Sequence, residues 1–339
     1  MKAAIFKTKH NIVLETNKAV APPTAKEVLV KVDTCGVCGT DIHIFDGEAK
    51  ASPPVVLGHE FCGTVEKVGL DVSTIAPGAW VAIDPNIHCD SCFYCRKGLI
   101  NLCQNLRAIG VNLDGGFAEY CLVPATQVYQ ISDSFPHQWG ALAEPISCAL
   151  RGIERAQIRS GESVVILGAG NIGLIMLQLA QIAGAGRLVV VEPLPERRQI
   201  AQQIGCDGTI DPKTSDAEEQ IQQMTGGGAD VVIECVGKTE AATMAVRIAR
   251  CGGRIVIFGL AEKQDSLRVN LQDLFYRELS ILGSILNPFT FQTAIQLLNS
   301  GKIRFDYYKT QSFTLEQIQR AFAAHREGKY HKIFIKPNI

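Results

Sequence analysis

The first part of the chain alternates hydrophobic and polar positions in short stretches. From residue 28 to residue 33 a valine occupies every second position, which is the period-two signal of a half-buried strand. The segments GTVEKV (63–68) and WVAIDP (80–85) suggest similar strands, and Gly and Pro residues separate them. The pattern therefore predicts a β-rich region in this part of the chain.

From about residue 160 the pattern changes to hydrophobic strands that alternate with helices. SVVILG (163–168) is a continuous apolar strand that ends at glycine, and hydrophobic residues then recur at helical spacing from residue 172 to 183. Three later strands are RLVVVE (187–192), ADVVIECVG (229–237) and GGRIVIFGL (252–260). Such alternation predicts a parallel sheet with both faces covered.

The end of the chain has a mixed pattern. Residues 290–339 contain a helix-like segment, FQTAIQLLNSG (291–301), a second one around residues 314–326, and a closing strand, KIFIK (332–336). A chain of 339 residues is longer than one hydrophobic core usually organises. We therefore predict an α/β protein of two domains, one of which is β-rich.

Composition and charge exclude several classes of protein. Hydrophobic residues make up 47% and charged residues 20% of the chain, which is typical of a globular protein. The formal net charge is −1 and no long basic run occurs, so we expect no nucleic-acid partner and no anionic membrane surface. The uncharged stretch 164–186 is long enough to cross a bilayer, but five glycines and an internal turn signal argue against a span. The N-terminus lacks the apolar core of a signal peptide, so a cytoplasmic location is expected.

The segment HCDSCFYCRKGLINLC (88–103) concentrates four of the twelve cysteines. A reducing compartment argues against a disulfide framework and favours metal binding or buried thiols. The spacing is C-x2-C-x2-C-x7-C, with cysteines at Cys89, Cys92, Cys95 and Cys103. Four thiolates close the coordination sphere of one zinc ion, which makes such a site structural. An iron–sulfur cluster is the main alternative, but a ferredoxin run continues with three residues and Cys-Pro, whereas seven residues intervene here and Gln104 follows. Unliganded thiols are the remaining alternative.

A glycine-rich turn follows the strand SVVILG. Residues 168–173, Gly-Ala-Gly-Asn-Ile-Gly, fit the G-x-G-x-x-G pattern and open the predicted helix near Ile172. Gly168 permits the tight turn, Gly170 lets the backbone approach a pyrophosphate, and Gly173 allows close packing of helix and strand. The helix N-terminus then offers free N–H groups and a positive dipole end to phosphates. The sequence therefore predicts a dinucleotide site.

An acidic residue, Glu192, ends the strand after this turn. An acid at this position accepts hydrogen bonds from the adenosine ribose and repels a 2′-phosphate, so NAD is favoured over NADP. Arg197 and Arg198 follow within six residues and could pair with such a phosphate. They are also compatible with a solvated helix face on which one arginine stacks on adenine.

Three further segments carry metal-ligand residue types. They are CGVCGTDIH (35–43), GHE (58–60) and AEP (143–145). Cysteine, histidine and glutamate all bind zinc, and three protein ligands leave one position open for water or substrate. Each residue alone is also compatible with a structural role, as a buried thiol or a hydrogen-bonded histidine. The spacing by itself supports no more than a plausible second metal site.

Several segments together make the chain resemble the zinc-dependent medium-chain alcohol dehydrogenases, and among them the sorbitol and polyol dehydrogenases. These segments are CGVCGTDIH, VLGHEFCGTVEKVG, the four-cysteine segment, LAEP, VVILGAGNIG and GGRIVIFG, and the resemblance covers nearly the whole chain. It implies a GroES-like catalytic domain built from residues 1–152 and 290–339. It also implies a Rossmann NAD-binding domain over residues 153–289.

The resemblance assigns metal ligands by motif. It implies that Cys38, which directly precedes Gly-Thr-Asp, is the thiolate ligand of a catalytic zinc and that His59 is the imidazole ligand. Glu144 occupies the position of a third ligand, and Glu60 either binds the metal or lies behind it, so both glutamates are candidates. Cys35 is expected to be a packed thiol. One catalytic and one structural zinc per chain are therefore implied.

The mechanism implied by the resemblance is oxidation of an alcohol by NAD. Zinc lowers the pKa of the bound alcohol, Thr40 takes the proton and passes it through the cofactor ribose to His43, and hydride goes to the nicotinamide. The residues expected beside the nicotinamide are Phe258, Gly259, Leu260, Ser284 and Ile285. Strand-end packing is compatible with that role.

Two departures from the animal-type sorbitol enzymes bear on the substrate. Ile44 follows His43 where those enzymes have a tyrosine, and Leu286, followed by Asn287, replaces an arginine that contacts cofactor and substrate. The loss of these polar groups weakens the case for sorbitol itself. The expected function is oxidation of a secondary alcohol of a polyol to the ketose by a homo-oligomer, a dimer or tetramer. The alternatives are an NAD-dependent dehydrogenase of a threonine-like amino alcohol or a vicinal diol, and a catalytically silent protein that binds zinc and nucleotide.

Overall fold

The computed structural model describes residues 1–214 and 216–339 of the chain. Its internal contacts divide it into two compact units. The first unit comprises Met1–Ser147 and Asn287–Ile339, and the second comprises Cys148–Leu286. Each unit has a hydrophobic core of its own.

The strands of the described chain are, in order, β1 (Ala3–Thr8), β2 (Asn11–Glu15), β3 (Glu27–Val37), β4 (Val55–Val56), β5 (Glu60–Val68), β6 (Trp80–Ile83), β7 (Asn86–Ile87), β8 (Arg107–Ala108), β9 (Tyr120–Pro124), β10 (Val128–Gln130), β11 (Ser163–Leu167), β12 (Arg187–Val191), β13 (Gly208–Ile210), β14 (Ala229–Glu234), β15 (Ala249–Ile257), β16 (Ser280–Gly283), β17 (Thr310–Phe313) and β18 (Lys332–Ile335).

The α-helices are α1 (Gly39–Phe45), α2 (Phe93–Arg96), α3 (Ala143–Ala156), α4 (Asn171–Ile182), α5 (Pro195–Ile204), α6 (Ala217–Thr225), α7 (Thr239–Ile248), α8 (Leu271–Tyr276), α9 (Phe291–Asn299) and α10 (Ile318–Glu327). Short 3-10 turns occur at Ile100–Leu102, Ala125–Gln127, His137–Leu142 and Leu315–Gln317.

The main sheet of the first unit has the strand order β10-β6-β5-β3-β18-β17, and β9 also pairs with β3. The central strand β3 therefore lies between a strand from the first part of the chain and a strand from its end. Gly36 of β3 pairs with Glu60 of β5 on one side and with Phe334 of β18 on the other. Two smaller sheets complete this unit, β2-β1-β4 and β7-β8.

The alternation predicted for residues 28–33 is present in β3 with one difference. Lys31 and Asp33 are exposed as the pattern predicts, but Leu29 is buried together with the valines. The second face of β3 is therefore covered at this end of the strand, so the strand is more than half buried.

The second unit contains one parallel sheet with the order β13-β12-β11-β14-β15-β16. This is the doubly wound order of a Rossmann fold, and the strand order reverses at β11 and β14. All of β11 is buried, as its continuous apolar sequence predicts for a central parallel strand. The predicted α/β class is confirmed. None of the described helices is both long enough and apolar enough to span a membrane.

Candidate functional site

Cys38, His59 and Glu60 form a group of metal-ligand atoms in the first unit. One ligand atom from each residue lies within 4.8 Å of the other two. Cys38 is the N-cap residue of α1, and His59 directly precedes Glu60, the first residue of β5. His59 and Glu60 are buried, whereas Cys38 is partly exposed. A thiolate, an imidazole and a carboxylate are the donor set of a zinc site that keeps one position open, so these residues fit the ion.

Asp41 lies behind this group and orients two of its members. Its Oδ1 atom is 3.4 Å from His59 Nδ1, and its Oδ2 atom accepts a 2.9 Å hydrogen bond from the backbone N–H of Cys38. Because this buried carboxylate faces Nδ1, the Nε2 atom of His59 is left for a metal. Burial lowers the pKa of His59, but the charges of Asp41 and Cys38 outweigh burial and hold that pKa well above its usual value.

A buried cation, Lys332, forms an ion pair with Glu60, and the two side chains are only 4% and 3% exposed. Lys332 begins β18, which pairs with β3 beside Gly36. A Cβ atom at Gly36 would collide with Glu60 Oε2 and Lys332 Cε, so glycine leaves room for the pair. Burial lowers the pKa of Lys332, but the negative charges of Glu60, Cys38 and Glu144 raise it overall.

Glu144 is not part of the 4.8 Å group. It lies in the first turn of α3 and is buried, and its charge contributes to the raised pKa of Lys332. The hydroxyl of Ser147 donates a 2.6 Å hydrogen bond to the backbone oxygen of Glu144, which fixes this turn. Of the two candidate glutamates, Glu60 is therefore the one that the structure brings together with the cysteine and the histidine.

A polar network joins this turn to the segment before the four cysteines. The Nδ2 atom of Asn287 donates to Asp84 Oδ1 at 3.1 Å and to Ser147 Oγ at 2.9 Å. Asn287 also accepts a 2.7 Å hydrogen bond from Asn86, and Thr290 Oγ1 donates to the backbone oxygen of Ser147 at 2.7 Å. Burial raises the pKa of Asp84 to about 6, although hydrogen bonds from Asn86 and Asn287 lower it.

Thr40 and His43, the predicted proton-transfer residues, both lie on α1. Thr40 Oγ1 is 3.7 Å from Cys38 Sγ, so this hydroxyl lies beside the first metal-ligand group. His43 is in the last turn of the helix, and its side chain is 27% exposed. Its Nδ1 atom is 2.6 Å from Glu48 Oε2. The helix therefore places the Thr40 hydroxyl beside the metal-ligand group and the His43 imidazole closer to solvent.

The four cysteines of the segment 88–103 form the second metal-ligand group, with sulfur atoms within 4.8 Å of one another: Cys89, Cys92, Cys95 and Cys103. The strands β7 and β8 pair with each other at the two ends of the loop that carries them. The backbone N–H groups of Cys89 and Asn105 donate to Cys103 Sγ at 3.4 and 3.3 Å.

The thiols of this second group differ in their acidity. Hydrogen bonds from Ser91 lower the pKa of Cys89 to about 5, whereas burial together with Cys92 and Cys103 raises the pKa of Cys95 to about 12. Four thiolates at this separation would repel one another, and a single zinc ion would offset that repulsion. All twelve cysteines are free of disulfide bonds. The donor set therefore fits a closed zinc site.

The glycine-rich turn of the second unit joins β11 to α4. Gly168 has a φ of +96°, a conformation that glycine adopts readily. A Cβ atom at Gly173 would collide with the backbone oxygen of Gly168, so the packing of α4 on the turn requires glycine. Gly170 is the N-cap residue of α4, and only Arg197 Nη1 lies near a Cβ built there, at 3.8 Å. The first turn of α4, which contains Ile172, is thus open to the phosphates of a dinucleotide.

Glu192 directly follows β12 and is buried. Its Oε2 atom accepts a 2.8 Å hydrogen bond from the backbone N–H of Ala169 in the glycine-rich turn. Arg198 donates to the backbone oxygen of Glu192 at 2.7 Å and pairs with Asp211. Arg197 Nη1 lies 4.0 Å from Glu192 Oε2. The carboxylate is therefore placed beside the turn, and Arg197 is the arginine whose side chain faces it.

The remaining predicted cofactor residues follow the adjacent parallel strands β15 and β16: Phe258, Gly259, Leu260, Ser284 and Ile285. Leu260 and Ile285 are exposed, and the buried Ser284 Oγ has no hydrogen-bond partner among the described residues. A Cβ atom at Gly259 would collide with the backbone nitrogen of Gly237. The carboxyl ends of such strands are where doubly wound sheets bind their ligands.

Four polar residues at these sites had no predicted role. They are Asp41, Glu48, Asp84 and Lys332. Asp41 lies inside the motif CGVCGTDIH, and its role becomes evident only from its contact with a histidine distant in sequence. The sequence did contain an indication for Lys332, because a lysine that begins a strand of otherwise apolar, buried residues is expected to be paired.

Two family models match the chain. The model described as the alcohol dehydrogenase GroES-like domain matches residues 24–133, and the model described as zinc-binding dehydrogenase matches residues 171–300. With the sheet orders and the two metal-ligand groups, these matches define the class of protein. The chain belongs to the zinc-dependent medium-chain alcohol dehydrogenase family, whose members are oxidoreductases that use zinc and a nicotinamide nucleotide.

Individual relatives narrow this class without agreeing on a substrate. The L-threonine 3-dehydrogenase of Pyrococcus abyssi is 34% identical in an alignment 339 positions long, which covers 97% of this chain and 97% of the relative. D-arabinitol dehydrogenase 1 of Uromyces fabae is 35% identical over 316 residues, 92% of this chain and 90% of the relative. A zinc-binding dehydrogenase from Sinorhizobium meliloti, solved with NADP bound, is 38% identical, with a TM-score of 0.94 and 99% of both chains covered. The chain is thus similar to enzymes named for an amino alcohol and for a polyol.

Proposed function

We propose that the chain oxidises a secondary alcohol of a polyol or sugar alcohol to the ketose and transfers the hydride to NAD+. The observation that carries the proposal is the group formed by Cys38, His59 and Glu60, with Thr40 and His43 on the helix that begins at Cys38. The three donors suit zinc with an open position, and a hydroxyl and an imidazole suit removal of the alcohol proton. The glycine-rich turn of the second unit suits a dinucleotide.

We further propose two zinc ions per chain. Cys38 and His59 would hold the catalytic ion, with Glu60 or Glu144 as the third ligand. The structural ion would be held by Cys89, Cys92, Cys95 and Cys103. When bound, the catalytic ion supplies a Lewis acid that lowers the pKa of an alcohol. Four thiolates leave no open position, so the contribution of the second ion is to stability.

The protein residues then have separate tasks. Asp41 holds the imidazole of His59 so that Nε2 faces the metal group, and Lys332 keeps the buried charge of Glu60 paired. The hydroxyl of Thr40 takes the alcohol proton, and His43 receives it and returns it to solvent.

An amino alcohol of the threonine type is the second candidate substrate. A relative that is 34% identical over 97% of the chain is named for L-threonine. Ile44 is almost completely buried in the core of the first unit, and it offers no polar group to a polyol. A vicinal diol is a further alternative, because it has fewer hydroxyls to recognise than sorbitol.

A substrate panel tests the proposal. The zinc-loaded protein is supplied with NAD+ and with sorbitol, D-arabinitol, L-threonine or 2,3-butanediol, and NADH formation is followed by absorbance. We expect the fastest turnover with a polyol. Turnover with L-threonine alone would assign the second candidate. An absence of turnover with every compound, with NAD+ and with NADP+, would favour the catalytically silent protein.

The metal ligand is tested in the same assay. Cys38→Ser is expected to lower turnover by about a thousandfold, because a lost metal removes several kcal/mol of transition-state stabilisation. Cys251→Ser is the matched control, because Cys251 is exposed and belongs to neither metal-ligand group. Retained turnover in Cys38→Ser would eliminate Cys38 as an essential ligand.

We propose that NAD is preferred over NADP because the buried carboxylate of Glu192 would face the 2′ position of the adenosine ribose. We expect kcat/KM to be at least about tenfold higher with NAD than with NADP, because the carboxylate repels the negatively charged 2′-phosphate. Glu192→Gln keeps an acceptor for the Ala169 N–H but removes the charge, and it should narrow the ratio. An unchanged ratio in Glu192→Gln and in Glu192→Ala would contradict this role.

We propose that residues 1–152 and 290–339 form the catalytic domain and that residues 153–289 form the NAD-binding domain. We also propose that the protein is a homo-oligomer, a dimer or a tetramer, and that its location is cytoplasmic. Helix α8 supports the oligomer, because Leu271, Phe275 and Tyr276 are each more than 70% exposed, and apolar clusters of this kind are often interface surfaces. The free thiols suit a reducing compartment. Sedimentation velocity should give the mass of two or four chains, and the mass of one chain would contradict the oligomer.

A further inference from the structure

The loop after α1 folds back over the end of the helix that carries His43. The backbone N–H groups of Glu48 and Ala49 donate to the backbone oxygen of His43 at 2.8 and 3.1 Å. Gly47, with a φ of +74°, allows the reversal. These backbone bonds do not involve the side chain of Glu48. The side chain of Glu48 nevertheless reaches the imidazole, with Oε2 only 2.6 Å from Nδ1.

This contact determines where the imidazole of His43 carries its proton. An ionised carboxylate only accepts hydrogen bonds, so Nδ1 must be the donor. In the neutral ring, Nε2 is then an acceptor. An isolated imidazole side chain prefers the opposite tautomer, in which Nε2 already carries a proton and cannot receive another.

We propose that Glu48 is a positioning residue that holds His43 in the tautomer with the proton on Nδ1, so that Nε2 can receive the proton released when the alcohol is oxidised. This inference rests on the proton-transfer role proposed for His43. The proton forms a bond with Nε2, and the protonated ring then gives a proton to a solvent base. Only bonds to hydrogen change, and no electrons are transferred in this step.

The exposure of the pair agrees with this task. The side chain of Glu48 is 55% exposed and that of His43 is 27% exposed. Solvent can therefore collect the proton from the ring. A hydrogen bond between side chains this exposed contributes little to stability, so a purely structural role would leave turnover nearly unchanged when the contact is removed.

The first test reads the tautomer directly. Nitrogen-15 NMR is recorded on the zinc-loaded, full-length protein without NAD, and the signals of His43 are identified by their loss in His43→Asn. We expect the proton on Nδ1 in the unmodified protein and mainly on Nε2 in Glu48→Ala. A proton on Nε2 in the unmodified protein, or a tautomer that Glu48→Ala leaves unchanged, would overturn the inference.

The second test is kinetic and uses NAD+ with whichever of D-arabinitol, L-threonine and 2,3-butanediol is oxidised fastest. Glu48→Ala should lower kcat about tenfold while both KM values stay unchanged, since general acid–base groups typically contribute at least that much. Glu48→Asp should recover part of the loss. Glu15→Gln is the matched control: it breaks a comparable exposed pair, with Lys7, and should leave kcat unchanged.

The two tests together separate the inference from the proposed function. If His43→Asn leaves kcat unchanged, the proton-transfer role of His43 is wrong and the role of Glu48 is wrong with it. If His43→Asn lowers kcat but Glu48→Ala does not, the role of His43 stands and the inference about Glu48 is overturned.

Discussion

In the first metal-ligand group, individual charged side chains are paired with side chains of opposite charge. Glu60 is paired with Lys332, and the imidazole of His59 lies against Asp41, in surroundings that are nearly closed to water. Removing one partner of a buried pair is strongly destabilising, because the other charge stays buried without compensation. Each of these four side chains therefore depends on its partner.

The coupling between Lys332 and Glu60 can be measured with a double-mutant cycle. Lys332→Met is expected to lower the apparent free energy of unfolding by about 3 kcal/mol, because it leaves an unpaired buried carboxylate. The double variant Glu60→Gln/Lys332→Met should be more stable than Lys332→Met alone, since both buried charges are gone. Urea unfolding of the unmodified protein, of Glu60→Gln, of Lys332→Met and of the double variant measures these differences. Additive effects of the two single substitutions in the double variant would show that the pair is not coupled.

The partly buried carboxyl of Asp84 gives a pH dependence of stability. Burial raises its pKa to about 6, so between about pH 4 and pH 6 the folded protein holds a proton that the unfolded chain has lost. Asp84 therefore favours folding less and less as the pH rises through that window. Asp84→Asn keeps an acceptor for Asn287 but removes the titration.

The stability of Asp84→Asn relative to the unmodified protein should rise between pH 4 and pH 7, by on the order of 2 kcal/mol. Urea unfolding at several pH values checks this difference. Asp133→Asn is the control, because Asp133 is exposed. A stability difference that does not vary with pH would mean that Asp84 is charged in both states across the window.

Among the elements, the four-cysteine loop is the one that we expect to depend most on a metal. It leaves the sheet at β7 and returns at β8, which are strands of two residues each. The loop contains only the short helix α2 and one 3-10 turn, and none of their residues is buried. A loop with so little apolar burial requires another source of stability, and we propose that a bound zinc ion supplies it.

Cys103→Ala is expected to remove one zinc equivalent per chain and to lower the thermal midpoint by roughly 5 °C or more. The first metal-ligand group should keep its own ion, because it shares no residue with the loop. Elemental analysis and calorimetry measure the two effects, with Cys251→Ala as the matched control. An unchanged zinc content in Cys103→Ala would show that the loop binds no metal.

The sequence predicted some elements well and others not at all. The central strands of the second unit are continuous apolar runs, and α4 has clear helical periodicity, so both were evident from local pattern. The strands β4, β7 and β8 have two residues each, which is too short for any period to appear. The pairing of β18 with β3 joins the two ends of the chain, and no local pattern predicts such a contact.

The same distinction applies to the candidate sites. Motifs named the cysteine, histidine and glutamate residues of both metal-ligand groups, because ligand type and spacing are local features. Lys332 and Asn287 reach their partners across more than 200 residues. Glu48 is near in sequence to His43, but its contact depends on the reversal at Gly47. Roles that arise from tertiary contacts were therefore the ones that sequence reasoning missed.

At the scale of the whole molecule, each unit has residues suited to distinct chemistry. The first unit contains both metal-ligand groups, one with a partly exposed cysteine and one made only of sulfur atoms. The second unit contains the glycine-rich turn and the acidic residue that suit a dinucleotide. Oxidation of an alcohol requires both sets, since the metal activates the substrate and the dinucleotide accepts the hydride.

The central claim is that each chain binds two zinc ions, one at an open site for chemistry and one at a closed site for stability. The most direct test is elemental analysis of purified, metal-replete protein. We expect two zinc ions per chain in the unmodified protein and one in either Cys38→Ser or Cys103→Ala. Fewer than two zinc ions per chain in the unmodified, fully loaded protein would contradict it.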